Sequence, residues 1–109
     1  ETFETAVMKI NNLVKEKNGE LTVVYLPAIQ RLLGLTNQFD NIFENVENIL
    51  IKNNINYFDL TSTIISHPDP KSLYSIHYNK YKFKNNITLG HFNEKGYGYI
   101  SDAIIKLLD

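Results

Sequence analysis

The amino-acid sequence predicts an α/β protein with a short, mainly parallel sheet. Segments with the periodicity of amphipathic helices alternate with short apolar runs, in the order helix, strand, helix, strand, helix. Such alternation is typical of parallel strands joined by right-handed helical crossovers. The length of 109 residues leaves room for one domain, so we expect residues 1–109 to form a single α/β domain.

The first helix is predicted over residues 2–17 and the first strand over 21–26. The apolar residues of the helix recur at the spacing of one helical face: Phe3, Ala6, Val7, Ile10, Leu13 and Val14. Asn18-Gly19 is a good C-terminal stop, because both residue types tolerate positive φ. The apolar run over 21–26 is nearly continuous, which suits a strand buried on both faces, and Pro27 ends it.

The middle of the chain favours a short helix over 28–35 and a second amphipathic helix over 40–52. The candidate caps of this second helix are Asn37 or Asp40 at its start and Asn53-Asn54 at its end.

The second strand is predicted over 55–60, followed by a short helix over 61–66 that Thr61 or Ser62 would cap. The segment 67–90 is irregular. Aromatic, polar and lysine residues alternate in its second half, which indicates a hairpin or a folded-over loop.

The last helix is predicted over 94–108, with Asn93 placed to cap it. Its apolar face consists of Tyr97, Ile100, Ala103, Ile104 and Leu107. Two strands make a very small parallel sheet, which needs both faces and both neighbours covered. The chain also opens on Glu1 rather than Met. We therefore expect upstream strands in a longer protein, extra strands from the irregular segment, or a homodimer that pairs exposed strand edges.

Composition excludes several classes of function. The net charge is −1 and Arg31 is the only arginine, which argues against a nucleic-acid or anionic-membrane partner. The absence of cysteine excludes thiol catalysis, cysteine–zinc sites and disulfides. No apolar run approaches the roughly 20 residues of a membrane span. No phosphate-binding loop, zinc helix or calcium loop is present, so no cofactor and no metal are predicted.

Among the three histidines, His91 has the most favourable context for chemistry. It lies two residues before the predicted cap Asn93, on what we expect to be a short tight loop between Gly90 and Gly96. The partial positive charge of a helix N-terminus favours a neutral imidazole, which suits a general base. On local grounds alone, a surface histidine beside a capped helix is the more frequent case.

The segment around this histidine resembles the C-terminal histidine block of the SGNH/GDSL family of esterases and acyl hydrolases. The resemblance is carried by His91-Phe92-Asn93-Glu94-Lys95-Gly96-Tyr97 and the amphipathic helix that follows. The order and spacing of the preceding elements are similar to the second half of that fold, although only the histidine block is specific. The resemblance implies a partial three-layer α/β/α architecture, flavodoxin-like and SGNH-type, in which residues 1–109 are the C-terminal part of a larger hydrolase domain.

The same resemblance implies that the parent protein hydrolyses an ester of a small molecule or carbohydrate, or of a lipid, with His91 as general base. The family's nucleophilic serine and oxyanion-hole residues belong to upstream blocks that nothing in this sequence matches. Three residues before His91, Thr88 stands where the family usually has an orienting aspartate; Asp69 is another carboxylate to consider. These residues alone are therefore expected to be inactive.

Other candidates have a structural interpretation beside the functional one. We interpret His67 and Asp69 in two ways. They form a metal-binding or acid/base pair, or they belong to a rigid loop in which their polar groups are solvated. His77 is more typical of a packing or surface residue. An aromatic cluster is interpreted either as a sugar- or acyl-binding groove or as a hairpin that covers a sheet edge. Its members are Tyr74, Tyr78, Tyr81 and Phe83.

Two alternatives to a hydrolase remain open. The first is a non-catalytic α/β module that acts in binding or assembly, which the missing serine block and Thr88 favour. The second is a fragment of another doubly wound α/β fold, because a fold does not fix a function.

Overall fold

The computed structural model describes residues 2–29, 38–78 and 87–109. It is a mixed helix and strand structure with a short two-stranded parallel sheet, which confirms the predicted α/β class. The chain divides into two compact units, here named the sheet unit (Glu1–Tyr25 and Asn37–Asp59) and the hairpin unit (Leu26–Thr36 and Leu60–Asp109). No helix within the described residues is long and apolar enough to cross a membrane.

The sheet unit contains helix α1 (Phe3–Glu16), strand β1 (Thr22–Tyr25), helix α2 (Gln38–Lys52) and strand β2 (Asn56–Asp59). Helix α1 begins where the sequence predicts, because the hydroxyl of Thr2 accepts the backbone N–H of Thr5 at 3.1 Å. Helix α2 already includes Asp40, so the prediction of Asp40 as its cap is wrong. The alternative cap, Asn37, and most of the predicted helix over 28–35 lie outside the described residues.

Both helices of the sheet unit end at an asparagine in the left-handed conformation. Asn18 has φ of 60°, which agrees with the predicted stop at Asn18-Gly19, and Asn54, within the predicted end Asn53-Asn54, has φ of 54°. In each case the following residue donates its backbone N–H to a carbonyl in the last helical turns: Gly19 to Val14, and Ile55 to a carbonyl of α2, both at 2.9 Å. These hydrogen bonds satisfy carbonyls that a helix end leaves unpaired.

Strands β1 and β2 pair in parallel, from Thr22 opposite Asn56 to Tyr25 opposite Asp59. Parallel neighbours need a crossover connection, and α2 lies within it. The core of the unit joins Val7 of α1, Leu50 of α2 and Ile55. Partly buried apolar residues pack against this core: Met8, Leu21, Val23, Val46, Ile49 and Tyr57. All residues of β1 are half-buried rather than fully buried.

Glu4 in the first turn of α1 joins the two helices of the sheet unit. Its Oε2 accepts a hydrogen bond from Asn53 Nδ2 at 3.0 Å and lies 3.3 Å from Lys52 Nζ. The hydrogen bond from Asn53, followed by the hydrogen bond and charge of Lys52, lowers the pKa of this carboxyl. The carboxylate therefore supports the fold above the ordinary pKa of 4.5, and its contribution is lost as the pH falls below that value.

The hairpin unit contains helix α3 (Thr61–Ile65), a 3₁₀ helix (Pro70–Leu73), strands β3 (Tyr74–Tyr78) and β4 (Ile87–Phe92), and helix α4 (Glu94–Leu108). The segment predicted as irregular thus includes an antiparallel hairpin, one of the two predicted alternatives. This hairpin is a separate sheet and does not extend β1 and β2. Leu60 occupies the N-cap position of α3 without a side-chain hydrogen bond, so the predicted cap by Thr61 or Ser62 is wrong.

The hairpin unit has an apolar core that includes the ring of Tyr74, whose hydroxyl group is hydrogen-bonded. The core residues of this unit are Ile29, Leu60, Ile64, Leu73, Tyr74 and Ile100. The ring of Tyr74 stacks on Phe92 with centroids 4.3 Å apart, and its hydroxyl donates to the Pro27 carbonyl at 2.9 Å. On the predicted apolar face of α4, Tyr97 and Leu107 are 57% and 50% exposed. The predicted face is therefore only partly buried.

Gly96 allows the first turn of α4 to approach the 3₁₀ helix closely. A Cβ atom at this position would lie 2.1 Å from the Leu73 carbonyl oxygen and 3.0 Å from Cδ1 of Phe92. The backbone N–H of Asn93 donates to the same Leu73 carbonyl at 2.9 Å, which fixes that oxygen in place. Any side chain at position 96 must therefore push α4 away from the 3₁₀ helix.

Gly96→Ala is expected to lower the free energy of unfolding by roughly 1–3 kcal/mol or more, because the added methyl collides with backbone. Gly98 provides a matched control in the same helix, since a Cβ there would meet no atom within 4 Å. Gly98→Ala is expected to raise the free energy of unfolding by about 0.5–1 kcal/mol through helix propensity. Urea unfolding measures both. Equal effects of the two substitutions would show that the close approach does not constrain the fold.

Tyr74→Phe is expected to lower the free energy of unfolding at neutral pH by about 1–2 kcal/mol, because it leaves the Pro27 carbonyl without its donor. Burial raises the pKa of the Tyr74 phenol well above its ordinary value of 10.0. The contribution of the protonated phenol is therefore complete below about pH 10 and is lost as the pH rises further. The variant should show a smaller alkaline loss of stability than the wild type.

The measurement for Tyr74 is urea unfolding across neutral to alkaline pH. Tyr57, whose pKa is raised by its hydrogen bond to Glu47, contributes an alkaline loss in both proteins, so the difference between the two curves is the relevant quantity. Tyr97→Phe removes an exposed phenol and serves as the control. Identical curves for wild type and Tyr74→Phe would contradict the role given to the buried phenol.

Candidate functional site

The structure places His91 within strand β4, so the prediction of a loop position is wrong. His91 is held in the antiparallel hairpin directly opposite Ser75 of β3, and both residues are exposed. Successive side chains of a strand point to opposite faces. Because Phe92 packs on the buried Tyr74, His91 lies on the other face of the hairpin, toward solvent.

Ser75 is a neighbour of His91 that the sequence did not indicate. Directly opposite residues in an antiparallel pair have Cβ atoms about 4.5–5.5 Å apart, which brings the serine hydroxyl within reach of the imidazole. No local signal reveals this pairing, because the register of a hairpin is set across the intervening chain. Among the described side chains, none forms an ion pair with His91. Thr88 lies in β4, and its side chain is outside what the structure describes.

Asn93 fixes the start of α4 immediately after the strand that carries His91. Its Oδ1 accepts the backbone N–H of Gly96 at 2.8 Å, which confirms the predicted cap. Its Nδ2 donates to the Ser72 carbonyl at 2.8 Å, and its backbone N–H donates to the Leu73 carbonyl. Asn93 therefore caps α4 and also docks its first turn on the 3₁₀ helix, two residues after His91.

Lys95 and Ser72 form a lysine–serine contact near this helix start. Lys95 Nζ donates to Ser72 Oγ at 3.0 Å, and Ser72 Oγ in turn donates to the Asp69 carbonyl at 2.6 Å. A serine beside a lysine is one known arrangement of nucleophile and base. Here the serine hydrogen is held by a backbone carbonyl and the lysine is exposed. The contact therefore stabilises the 3₁₀ helix.

His67 and Asp69 form a local turn, which agrees with the rigid-loop interpretation. His67 Nδ1 accepts the backbone N–H of Asp69 at 2.9 Å, so the contact does not involve the Asp69 carboxylate. This hydrogen bond requires the neutral imidazole with its hydrogen on Nε2. The ring lies edge-on to Tyr99, with centroids 4.8 Å apart. Among the side chains that the structure describes, no group of three or more potential metal ligands is present.

A small open cleft of about 200 Å³ lies between α3 and α4. Its lining residues are Thr63, Tyr99, Asp102, Ala103 and Lys106. The Tyr99 hydroxyl donates to the Thr63 carbonyl at 3.2 Å and so joins the two helices. The cleft is smaller than the roughly 300–1,000 Å³ typical of ligand pockets, and His91 does not line it. It is therefore not the site of the candidate base.

Of the two interpretations of the aromatic cluster, the groove does not hold at Tyr74, because that side chain is 5% exposed and belongs to the core. Tyr78 and His77 lie in β3, with side chains outside what the structure describes. Tyr81 and Phe83 lie outside the described residues. The groove interpretation at these other positions stays a prediction.

No model of a known protein family, no curated protein and no solved structure matches this chain.

Asn93→Ala is expected to lower the free energy of unfolding by about 2 kcal/mol, the sum of a lost helix cap and a lost part-buried hydrogen bond to Ser72. Asn93→Asp is the matched variant. It keeps the acceptor for Gly96 and places a favourable charge at the helix start, but it loses the amide donor. We expect a loss of about 1 kcal/mol for the aspartate variant by urea unfolding. Equal losses would show that the cap contributes nothing beyond the docking bond.

Proposed function

We propose that this chain is the C-terminal portion of an SGNH-like hydrolase of ester bonds, in which His91 is the general base. The observation that most supports the proposal is the place of His91. It is an exposed histidine near the end of β4, two residues before Asn93, which caps an amphipathic helix. This is the chain order of the family's histidine block.

In the proposed reaction, His91 takes the proton of a serine hydroxyl as the serine oxygen attacks the ester carbonyl. The serine comes from another segment of the protein. The imidazolium then returns the proton to the leaving alcohol, which leaves an acylated serine. A water molecule repeats the sequence, with His91 again accepting and returning the proton, and the acid is released. Each transfer needs an accessible ring nitrogen, which agrees with the exposure of His91.

A general base must also be held in a fixed position relative to the reacting groups. The backbone of His91 is paired with Ser75, and the chain two residues later is docked through Asn93 and Gly96. Both sides of the histidine are thus anchored to the same unit. This rigidity supports a positional role more strongly than an exposed loop would.

The orienting group for the imidazole is proposed to be a hydroxyl rather than a carboxylate of this hairpin. Ser75 is directly opposite His91, and both residues are exposed. A hydroxyl can accept the imidazole N–H, but it cannot stabilise the imidazolium as a carboxylate does. The nucleophile and the oxyanion hole are assigned to segments beyond this chain, as is the choice among carbohydrate and small-molecule esters.

The second candidate function is a non-catalytic assembly module, which strand β1 favours. Within the described residues β1 and β2 form a sheet of two strands, and the residues Thr22–Tyr25 include no lysine or proline. A strand without these residues is less protected against pairing with another chain. The net charge of −1 gives little repulsion between copies, so the proposed partner is a second copy. Sedimentation velocity tests this: a monomer at every concentration would contradict it.

His91→Ala, made in the protein that includes this chain and its serine segment, is expected to reduce hydrolysis of p-nitrophenyl acetate by about 10²–10⁴-fold. Glu94→Gln is the control, because Glu94 is an exposed residue in the first turn of the following helix. Circular dichroism should show the same helix content in both variants. Undiminished turnover in His91→Ala would exclude the assignment. A wild type that forms dimers but hydrolyses no ester would favour the assembly module.

A further inference from the structure

The C-terminal end of α1 combines an exposed Asn-Gly pair with an unusual backbone conformation. Asn18 has φ of 60° and is followed by Gly19, and both residues are exposed. The N–H of Asn18 donates to the Lys15 carbonyl at 3.0 Å, and the N–H of Gly19 donates to the Val14 carbonyl at 2.9 Å. We propose that Asn18 is a site of spontaneous deamidation, and that this helix cap controls the rate.

The chemistry uses only groups of this segment and water. The backbone nitrogen of Gly19, after losing its proton, attacks the side-chain Cγ of Asn18. A new C–N bond closes a five-membered succinimide. The bond from Cγ to the amide nitrogen breaks, and this nitrogen takes up a proton from water and leaves as ammonia. Water then opens either carbonyl of the ring, which gives aspartate or isoaspartate. Glycine permits the attack because it has no Cβ beside the attacking nitrogen.

The native cap slows this reaction because it engages the attacking nitrogen. The Gly19 N–H that must be lost is donated to Val14, and the left-handed backbone of Asn18 is fixed by the same turn. Helix ends open locally at a free-energy cost near zero, so the protection is modest. We expect deamidation at Asn18 in the folded protein to be slower than in the unfolded chain by a factor of less than about ten.

Asn54 is a matched internal control at the end of α2. It has nearly the same backbone conformation, with φ of 54°, and the next residue also donates to the helix, at 2.9 Å. That next residue is Ile55, which is β-branched, 5% exposed and part of the core with Val7 and Leu50. Its nitrogen becomes free only when the core opens. We therefore expect no conversion of Asn54 in the folded protein.

Deamidation should weaken the sheet unit. An aspartate at position 18 places a negative charge at the negative end of the α1 dipole. An isoaspartate adds a methylene to the backbone, which shifts the Gly19 nitrogen away from the Val14 carbonyl. Both products remove support from the turn that leads from α1 into β1. The modified protein should unfold at a lower urea concentration than freshly prepared protein.

The test is peptide mapping by mass spectrometry of the full chain, incubated folded and in urea at mildly alkaline pH. The expected result is conversion at Asn18 in both the folded sample and the sample in urea. At Asn54 we expect no conversion in the folded sample. Gly19→Ala should slow conversion strongly; its Cβ would lie 3.0 Å from Val14 Cγ1, a side-chain contact that can relax. Asn18→Gly, which suits the positive φ, should abolish the mass change in that peptide.

Two outcomes would overturn the proposal. One is a folded protein whose Asn18 stays intact while the unfolded chain is fully converted, since the cap would then lock the site. The other is a Gly19→Ala variant that converts as fast as the wild type. Circular dichroism of Gly19→Ala verifies that it folds. If it does not fold, the comparison of Gly19→Ala with the wild type in urea still tests the role of the glycine.

Discussion

The hairpin unit depends on the contact between the first turn of α4 and the carbonyl of Leu73. Gly96 leaves only backbone at this contact, which allows Asn93 to bring its N–H and its side-chain amide onto the 3₁₀ helix. The rings of Tyr74 and Phe92 stack on each other. Tyr74 directly follows Leu73 at the start of β3, and Phe92 directly precedes Asn93 at the end of β4. Because backbone atoms at such distances cannot be moved as a flexible side chain can, α4, the hairpin and the 3₁₀ helix form one fixed arrangement.

This arrangement supports the proposed role of His91 as a general base. The histidine lies between a paired strand and a docked helix, on the face of β4 opposite the buried Phe92. A general base needs such a combination of exposure to substrate and backbone rigidity. The other histidine whose side chain is described, His67, has one ring nitrogen engaged by a backbone N–H and its ring against Tyr99. These contacts give His67 a structural role, whereas His91 stays a proposed general base.

Local signals predicted the elements whose cause is local. Helix α1 and its end at Asn18 followed from apolar periodicity and a residue type that tolerates positive φ. The cap at Asn93 followed from a short polar side chain before an amphipathic run. The cap of α3 was mispredicted, because Leu60, a buried apolar residue, takes that position. Periodicity also placed Tyr97 on a buried face, although burial depends on which neighbours the fold brings to it.

The sequence by itself determined the α/β class with its parallel pair, because helix and strand patterns alternate along the chain. It also determined the place of His91 two residues before the helix cap Asn93, because a cap signal is local. Only the tertiary structure decided that His91 stands in a strand opposite Ser75, that Tyr74 is a core residue, and that Gly96 must lack a side chain. Those facts depend on hairpin register and on the contact of two backbones, which join segments that carry no local signal of each other.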